Sequence, residues 1–347
     1  MTRQTRIAFV SALCFVAMAV VLALTPVGFV TWSPGSAHDV LATGEDPAIS
    51  ISGVETYPTE GRLEITTVSV TSPDARLTLP EAVLAYWLPH RDTLPRESIY
   101  PAGKSPEQVE SEEQEMMSFS QTEAVVAALR EADVPVVERP VIAAVTVGGP
   151  SDGVLSPGDL VLSIDGTPVD TREDVLDAIG SAAVGDAVAF SVLRGGQEEQ
   201  VVVTTDGSNQ DASVPVIGAM VGTGFEYPAE VSFGIDPAIG GSSAGLVFSL
   251  AIYDKITPGP LVVDTVAGTG QITATGQVGP IGGIQQKIHG AEQAGAAVFL
   301  VPAANCPDVL GLSTDLSLVK VDDLDGAVSA LERLSDPGTA EDVPRCP

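Results

Sequence analysis

The N-terminal end of the chain carries a run that limits how this segment can fold. No aspartate or glutamate occurs from Ile7 to Thr31, and the run includes FVAMAVVLAL. About 25 residues in a helix span ~37 Å, enough to cross a ~30 Å hydrocarbon core with some tilt. Arg3 and Arg6 precede the run, and the positive-inside tendency keeps their side in the cytoplasm. We therefore predict a single-pass anchor within residues 1–35, with the bulk of the chain outside the cytoplasm.

A cleaved signal peptide is the alternative interpretation of the same segment. Gly35-Ser36-Ala37 offers a small-residue cleavage site. The apolar region of a signal peptide normally runs ~7–15 residues, and this run is longer, which favours the anchor. Either interpretation places the rest of the chain outside the cytoplasm.

Charge excludes one class of partner. Lys and Arg together number 16 against 46 Asp and Glu, for a formal net charge of −30. Nucleic-acid binding depends on clustered cations, so we expect no nucleic-acid partner. No residue pattern in the chain suggests a cofactor or a metal site, and we predict neither.

The three cysteines divide between two environments. Cys14 lies in the apolar run, which leaves Cys306 and Cys346 in an oxidising compartment. Two thiols there are expected to form one disulfide that ties the C-terminal tail to the loop after a predicted strand. Two unpaired thiols, or a tail too mobile to pair, remain alternatives, because the sequence does not measure their separation.

Secondary-structure patterns divide the remaining chain. Residues 36–48 are small and polar, as in a linker, and alternation on both sides of Thr-Glu-Gly over residues 49–70 predicts a hairpin. Helical patterns follow at 77–90 and 120–132. After a polar boundary at 206–213, strand and helix patterns alternate to about residue 336, which indicates an α/β domain within an α+β chain.

A compact β-rich stretch with a short helix lies at 141–205. GDLVLSIDGTPV predicts strand, tight Asp-Gly turn and strand, and TREDVLDAI opens with a capping pattern. The stretch resembles a bacterial PDZ domain, which implies binding of extended peptides by strand addition. No Gly-Leu-Gly-Phe-like loop is present, so which chain end it would bind stays open. A spacer or lid role is the alternative.

A serine motif opens the clearest helix of the C-terminal domain. GSSAG at 241–245 matches the G-x-S-x-G pattern of a nucleophile turn, and an apolar helix pattern follows. Serine is also a preferred helix cap, so the motif alone does not establish a nucleophile. Of the three histidines only His289 follows the serine, which leaves a Ser-His-Asp triad with one poor candidate base.

A lysine strengthens the case for a nucleophile. Lys287 is one of four lysines in the chain, and it follows a Pro-Ile-Gly-Gly turn on a helix with apolar positions. A lysine can act as base if its pKa falls from ~10.4 to ~7, which costs about 4–5 kcal/mol and which burial can supply. Free N–H groups at the helix start beside the serine could hold an oxyanion.

Together these segments resemble the proteolytic domain of the Lon family. The family carries a Pro-Ser-Ala-Gly nucleophile motif and a Pro-Ile-Gly-Gly-x-x-x-Lys motif about forty residues later. The resemblance implies that Ser243 is the nucleophile, Lys287 the base and Thr269, in AGTGQI, a supporting residue. Ser242 replaces the family proline, and Gly241 replaces a family aspartate two residues before the nucleophile. The upstream histidines of the family are missing.

The resemblance predicts a domain order and an activity. The predicted divisions are an anchor, an N-terminal region that contributes the first protease strands, a PDZ domain, a Lon-like protease domain and a tail, at 1–35, 36–135, 136–207, 214–336 and 337–347. No G-x-x-x-x-G-K-[ST] loop occurs, so we expect no ATP-driven unfoldase. The predicted function is an anchored, ATP-independent serine endopeptidase that cleaves exposed or unfolded segments presented by the PDZ domain.

Two alternatives of other kinds remain at this stage. One is a non-catalytic anchored PDZ scaffold that binds envelope proteins. The other is an esterase that uses Ser243 with His289. By resemblance the protease would assemble as a hexameric ring, although the sequence shows no interface. The physiological substrate and the activation signal are not encoded in any recognisable pattern.

Overall fold

Two segments far apart in sequence build one unit of the computed structural model, which describes residues 2–44, 46–88, 90–336 and 338–347. This first unit joins Met1–Asp133 to Ala229–Pro347, and the intervening stretch Val134–Pro228 forms the second unit. In chain order, the N-terminal part of the first unit comprises α1 (Arg3–Leu24), β1 (Phe29–Asp39), β2 (Ile49–Ser52), β3 (Arg62–Val70), α2 (Leu79–Trp87), β4 (Asp92–Pro95) and α3 (Pro106–Glu131).

The second unit is β-rich with a short helix. Its elements are β5 (Val137–Val145), β6 (Leu160–Ile164), β7 (Thr167–Pro168), α4 (Arg172–Ser181), β8 (Ala187–Arg194), β9 (Gln197–Thr204), β10 (Asp206–Gly207), β11 (Pro215–Val216) and β12 (Ala219–Glu226). The main sheet has the order β12-β5-β6-β8-β9. Its core is aliphatic around Phe190, and Thr171 opens α4 with the capping box that the sequence predicts.

The chain then returns to the first unit. The returning elements are β13 (Glu230–Phe233), α5 (Gly245–Ile256), β14 (Thr265–Gly268), β15 (Gln271–Ile272), β16 (Val278–Gly279), α6 (Ile284–Gln293), β17 (Val298–Pro302), β18 (Ser317–Val321) and α7 (Leu324–Ser335). The main sheet of the unit has the order β18-β17-β14-β3-β1-β4. Strands β18, β17, β14 and β3 run parallel, whereas β1 and β4 are antiparallel to their neighbours.

Helices α5 and α6 lie on opposite faces of β14. Successive strand residues point to opposite faces, and two adjacent residues of β14 contact different helices. On one face, Val247 of α5 lies over Gly268. On the other face, Ala267 packs in one cluster with Ile284 and Ile288 of α6. Both helices begin at the carboxyl end of β14, so the residues that open them meet there.

Three predictions about local organisation are wrong. Residues 49–70 form no hairpin, because β2 pairs with β13 and β3 pairs with β1 and β14. The predicted linker at 36–48 begins inside β1, which extends to Asp39. The predicted boundary between 207 and 214 assigns β12 to the protease domain, whereas β12 pairs with β5 in the second unit. The polar stretch before β12 is a loop within that unit.

Helix α1 is long and apolar enough to cross a membrane, and all its residues are exposed. A signal sequence near an N-terminus has the same length and composition. The chain therefore has an N-terminal apolar helix that fits either description.

Candidate functional site

Ser243 lies in a tight glycine-bounded turn that leads into α5. Gly241 adopts a left-handed conformation with φ of 85°, which favours glycine. Gly245, the first residue of α5, has no room for a side chain, because an added Cβ would lie 2.8 Å from atoms of Ile272 and Ser120. The turn therefore brings the start of α5 close against the rest of the unit, with Ser243 at its tip.

Lys287 lies in the first turns of α6, which begins after a second glycine turn. Gly283 caps the helix with φ of 69°, and an added Cβ there would approach Val68 to 2.8 Å. The residues before it are held by Asn305, whose side chain accepts from Ile281 N at 2.9 Å and donates to Ile281 O at 3.0 Å. The Pro-Ile-Gly-Gly segment is thus a turn fixed by hydrogen bonds, and it directs the side chain of Lys287 toward the end of the sheet.

Three oxygen atoms surround the amine of Lys287. Nζ lies 2.9 Å from Ser243 Oγ, 3.2 Å from Thr269 Oγ1 and 2.8 Å from the main-chain oxygen of Thr66. Thr269 Oγ1 donates to Ser243 O at 2.9 Å, and Gly270 N donates to the same oxygen at 2.8 Å. The three residues expected from the sequence therefore lie together, and the backbone of Ser243 is held from two directions.

The amine of Lys287 is almost entirely removed from solvent. The residue is 5% exposed and Thr269 is 1% exposed. Burial disfavours the ammonium form and lowers the pKa of Lys287 to about 8. The neutral amine, which can accept a proton, is therefore present in a useful fraction near neutral pH.

The main-chain oxygen of Thr66 is the part of this cluster that the sequence does not predict. It belongs to β3, which enters the sheet more than two hundred residues before α6. A main-chain carbonyl has no side-chain identity, so no motif could have marked it. Strand pairing between β3 and β14 is the observation that places it.

Ser242 and His289 lie in other environments. Ser242 Oγ accepts from Gln271 Nε2 at 3.0 Å, and Ser242 O accepts from Ser120 Oγ at 3.1 Å. His289 Nδ1 lies 2.9 Å from Glu292 Oε2, and its ring stacks on His90 with centroids 3.6 Å apart. Among the described residues, no hydrogen bond joins His289 to Ser243.

Two of the three cysteines form a disulfide bond, and the third is free. The sulfurs of Cys306 and Cys346 are bonded, with Cα atoms 5.2 Å apart. Cys346 N donates to Leu318 O, so the tail lies along the edge of β18. Cys14 is exposed on α1. Within the described residues, no group of three His, Cys, Asp or Glu side chains could hold a metal ion.

The second unit presents a separate groove of about 1340 Å³. It lies where α4 faces the free edge of β12, which, among the residues that the structure describes, pairs through its other edge alone. Leu176, Ile179, Met220 and Val221 contribute apolar lining. Arg172 Nε donates to Val221 O at 3.0 Å, so one carbonyl of the strand is occupied by the helix.

Two family models match the chain. The Lon protease (S16) C-terminal proteolytic domain matches residues 233–331, and the PDZ domain matches residues 108–205. The PDZ match starts within α3, a helix that belongs to the first unit, whereas the second unit starts at Val134. Both candidate catalytic residues, Ser243 and Lys287, lie inside the Lon match.

Individual relatives match only locally. The Lon protease of Chloroflexus aurantiacus is 38% identical over 107 residues, which cover 30% of this chain and 13% of that protein. Lon protease 2 of Thermus thermophilus is 40% identical over 76 residues, covering 22% of this chain and 9% of that protein. The Lon protease of Frankia alni is 41% identical over 69 residues, covering 20% and 8%. The matches thus span about an eighth or less of these relatives.

Among the solved structures that match part of the chain are bacterial PDZ domains. The PDZ domain of an SdrC-like protein from Listeria monocytogenes is 27% identical and covers 24% of this chain and 86% of that chain, with a TM-score of 0.22. Its counterpart from Listeria innocua is 26% identical and covers 24% and 92%, with a TM-score of 0.23. At these scores the PDZ assignment rests on the family model. The chain thus combines a PDZ domain with a Lon-type proteolytic domain, the domain of a serine peptidase, and no ATPase domain is evident in its 347 residues.

Proposed function

We propose that the protein is a membrane-anchored serine endopeptidase that hydrolyses peptide bonds without ATP, with Ser243 as nucleophile and Lys287 as general base. The observation that carries the proposal is the position of Lys287 Nζ, 2.9 Å from Ser243 Oγ in a buried setting. General-base catalysis needs this distance and a base whose pKa lies near the working pH.

The contacts of Lys287 orient its lone pair. A neutral amine has two N–H donors and one acceptor position. The oxygen of Thr66 can only accept, and Thr269 Oγ1 uses its own proton on Ser243 O, so both are acceptors for the amine. Once both N–H groups are engaged, the lone pair faces the remaining neighbour, Ser243 Oγ. The hydroxyl proton then passes to Lys287 as Oγ attacks the peptide carbonyl.

The later steps use the same groups. The attack forms a tetrahedral intermediate, and we propose that the main-chain N–H groups of Ser243 and Ala244, which precede the first residue of α5, stabilise its oxyanion. Lys287 returns its proton to the leaving amine, which releases one peptide and leaves an acyl-enzyme. Water then attacks the ester carbonyl as Lys287 accepts its proton. The ester bond breaks, Lys287 returns the proton to Ser243 Oγ, and the second peptide leaves with a new terminal carboxyl group.

Substrate delivery is assigned to the second unit. The free edge of β12 and the apolar groove beside α4 suit an extended peptide that adds as a strand. We propose that the substrates are exposed or unfolded protein segments, and that the ring assembly implied by the Lon resemblance applies to this chain. Arg172 would have to release Val221 O before a peptide pairs at that position.

The location is part of the same proposal. We take α1 as a retained anchor, with Arg3 and Arg6 on the cytoplasmic side and both units outside. The bonded Cys306 and Cys346 support this side, because disulfides persist in oxidising compartments.

The test of the activity uses the full chain in detergent micelles with unfolded casein and no ATP. We expect cleavage to internal peptides, together with covalent labelling of Ser243 by a peptide boronate or fluorophosphonate, located by mass spectrometry. Labelling at another serine would contradict the assignment of the nucleophile. Binding of casein without cleavage or labelling would favour a scaffold.

Thr269→Val tests the positioning role of the threonine. The substitution keeps the shape but removes an acceptor for Lys287 and a donor to Ser243 O. We expect kcat/KM to fall about 10- to 100-fold, the loss of one or two hydrogen bonds to a reacting group. Thr269→Ser keeps the hydroxyl and should restore most of the activity. An unchanged pH profile and rate in Thr269→Val would contradict the role.

A further inference from the structure

The first unit exposes an apolar helix face beside the end of α1. Only Ala82 and Ala85 of α2 are buried, at 7% and 4% exposure. Around the rest of α2, large apolar and aromatic side chains are exposed, and the two most exposed, Tyr86 and Trp87, are 72% and 77% exposed. This exposed face consists of Leu79, Val83, Leu84, Tyr86 and Trp87 of α2 together with Leu88, the residue that caps its C-terminal end. Contiguous apolar surface of this kind marks an interaction site.

We propose that this face of α2 lies in the headgroup region of the lipid bilayer and forms a second membrane contact beside α1. The inference rests on the membrane anchoring proposed above. It adds an interfacial helix, so that the protease unit is held against the membrane surface and does not hang from a flexible stalk.

Backbone contacts hold α2 next to the point where α1 ends. Pro26 pairs with Thr78, and Val27 N donates to Leu77 O at 2.8 Å. Val27 comes three positions after Leu24, the last residue of α1, and three steps at ~3.3–3.6 Å per residue span at most about 11 Å. The first turn of α2 therefore lies close to the membrane boundary wherever α1 is inserted.

The chemistry of the face suits an interface. Tyr and Trp prefer the headgroup level, where an apolar ring and a polar edge are both satisfied. In a chain with a net charge of −30, exposed Arg76 and Arg91 flank α2 and can meet anionic headgroups. Glu81, the acid within α2, is engaged with Thr78 N and Oγ1 at 2.8 Å in the capping box.

The test measures the surroundings of α1 and of α2 independently in the full chain. Trp32 and Trp87 are the two tryptophans, so Trp32→Phe leaves Trp87 as the sole indole, and Cys14, the free cysteine, takes an environment-sensitive dye on α1. The protein is reconstituted into vesicles of phosphatidylcholine and phosphatidylglycerol in equal parts, with or without lipids brominated near the headgroup.

We expect brominated lipid to remove about half or more of the Trp87 emission, as for an indole at headgroup depth. The Trp87→Phe protein, which reports Trp32, should change little. An apolar signal from the Cys14 dye with unquenched Trp87 would overturn the inference and leave the anchor intact. A blue-shifted but unquenched Trp87 would indicate a second protein copy on this face and would also overturn it. A dye on Cys14 that reports a water-like environment would overturn both the membrane anchor and the inference. The casein assay would still test the proposed peptidase activity separately.

Discussion

Lys287→Gln should lower kcat/KM for unfolded casein by about a thousandfold or more, because a general base and its nucleophile act as one unit. Glutamine can still donate to the oxygen of Thr66, but its amide has no basic lone pair to take the proton from Ser243 Oγ. Ser243→Ala should be equally inactive, and the double variant should be no worse than either single variant. Additive losses would show that the two residues do not act together.

Two variants serve as controls for this result. Lys255→Gln removes another buried lysine of the same unit, whose pKa is also lowered by burial, at the far end of α5 from Ser243. His289→Gln removes the histidine that an esterase would need. Both should retain activity near that of the wild type. A large loss in His289→Gln with activity retained in Lys287→Gln would reverse the assignment of the base.

Lost activity in Lys287→Gln should not come from unfolding. The pKa of Lys287 is about 8 in the folded protein against an ordinary 10.5, so the unfolded state binds more protons between these values. Stability therefore rises with pH across that window, and below it the buried ammonium costs up to about 3 kcal/mol. Removing the ammonium should leave the melting temperature at pH 7 equal to that of the wild type or higher.

The same pKa predicts the pH dependence of the wild type. Only the neutral amine accepts a proton, so kcat/KM should rise with pH through about 8. The neutral fraction of the Lys287 amine grows about tenfold from pH 7 to pH 9, and the rate should follow it before levelling. A profile that is flat over this range, or that rises near the ordinary pKa of histidine, would contradict a lysine base.

The site is more predictable from sequence than the sheet around it. Ser243 and Lys287 each follow a glycine turn at the start of a helix, and such motifs are local, so their residues can be read directly. The oxygen of Thr66 cannot be read, because every residue has a main-chain carbonyl and only strand pairing selects this one. Local chemistry is visible in sequence, whereas long-range pairing is not.

The incorrect prediction of a hairpin at 49–70 has the same cause, because long-range strand pairing is not visible in the sequence. Alternation identifies a strand and its faces but not its partner, and Thr-Glu-Gly between two strands favours a local turn. In the structure β2 instead pairs with β13, and Ile49 lies opposite Phe233. Strand β13 comes after the whole of the second unit in the sequence, so this pairing is long-range. The boundary error at β12 is similar, because a polar loop inside a domain has the composition of a linker.

Breaking the Cys306–Cys346 bond should lower the free energy of unfolding of the first unit by up to about 4 kcal/mol. The bond joins residues 40 positions apart, and the chain-entropy model assigns about that value to a loop of this length. The loop contains β18 and α7, and the bond holds the tail along the β18 edge, where Lys320 N donates to Pro344 O at 2.9 Å. Cys346→Ser, or reductant added to the wild type, should therefore lower the melting temperature.

The chain contains its own controls for this measurement. Cys14→Ser removes the free cysteine and should not change melting, and the second unit, which has no cysteine, should keep its own calorimetric transition. Equal melting of Cys346→Ser and the wild type would show that the thiols are not bonded in the purified protein. Activity should fall as well, because Asn305, next to Cys306, holds the Ile281 turn that aims Lys287. Reductant could instead lower the melting temperature but leave kcat/KM unchanged at temperatures well below melting. That result would show that Asn305 holds the turn without help from the disulfide.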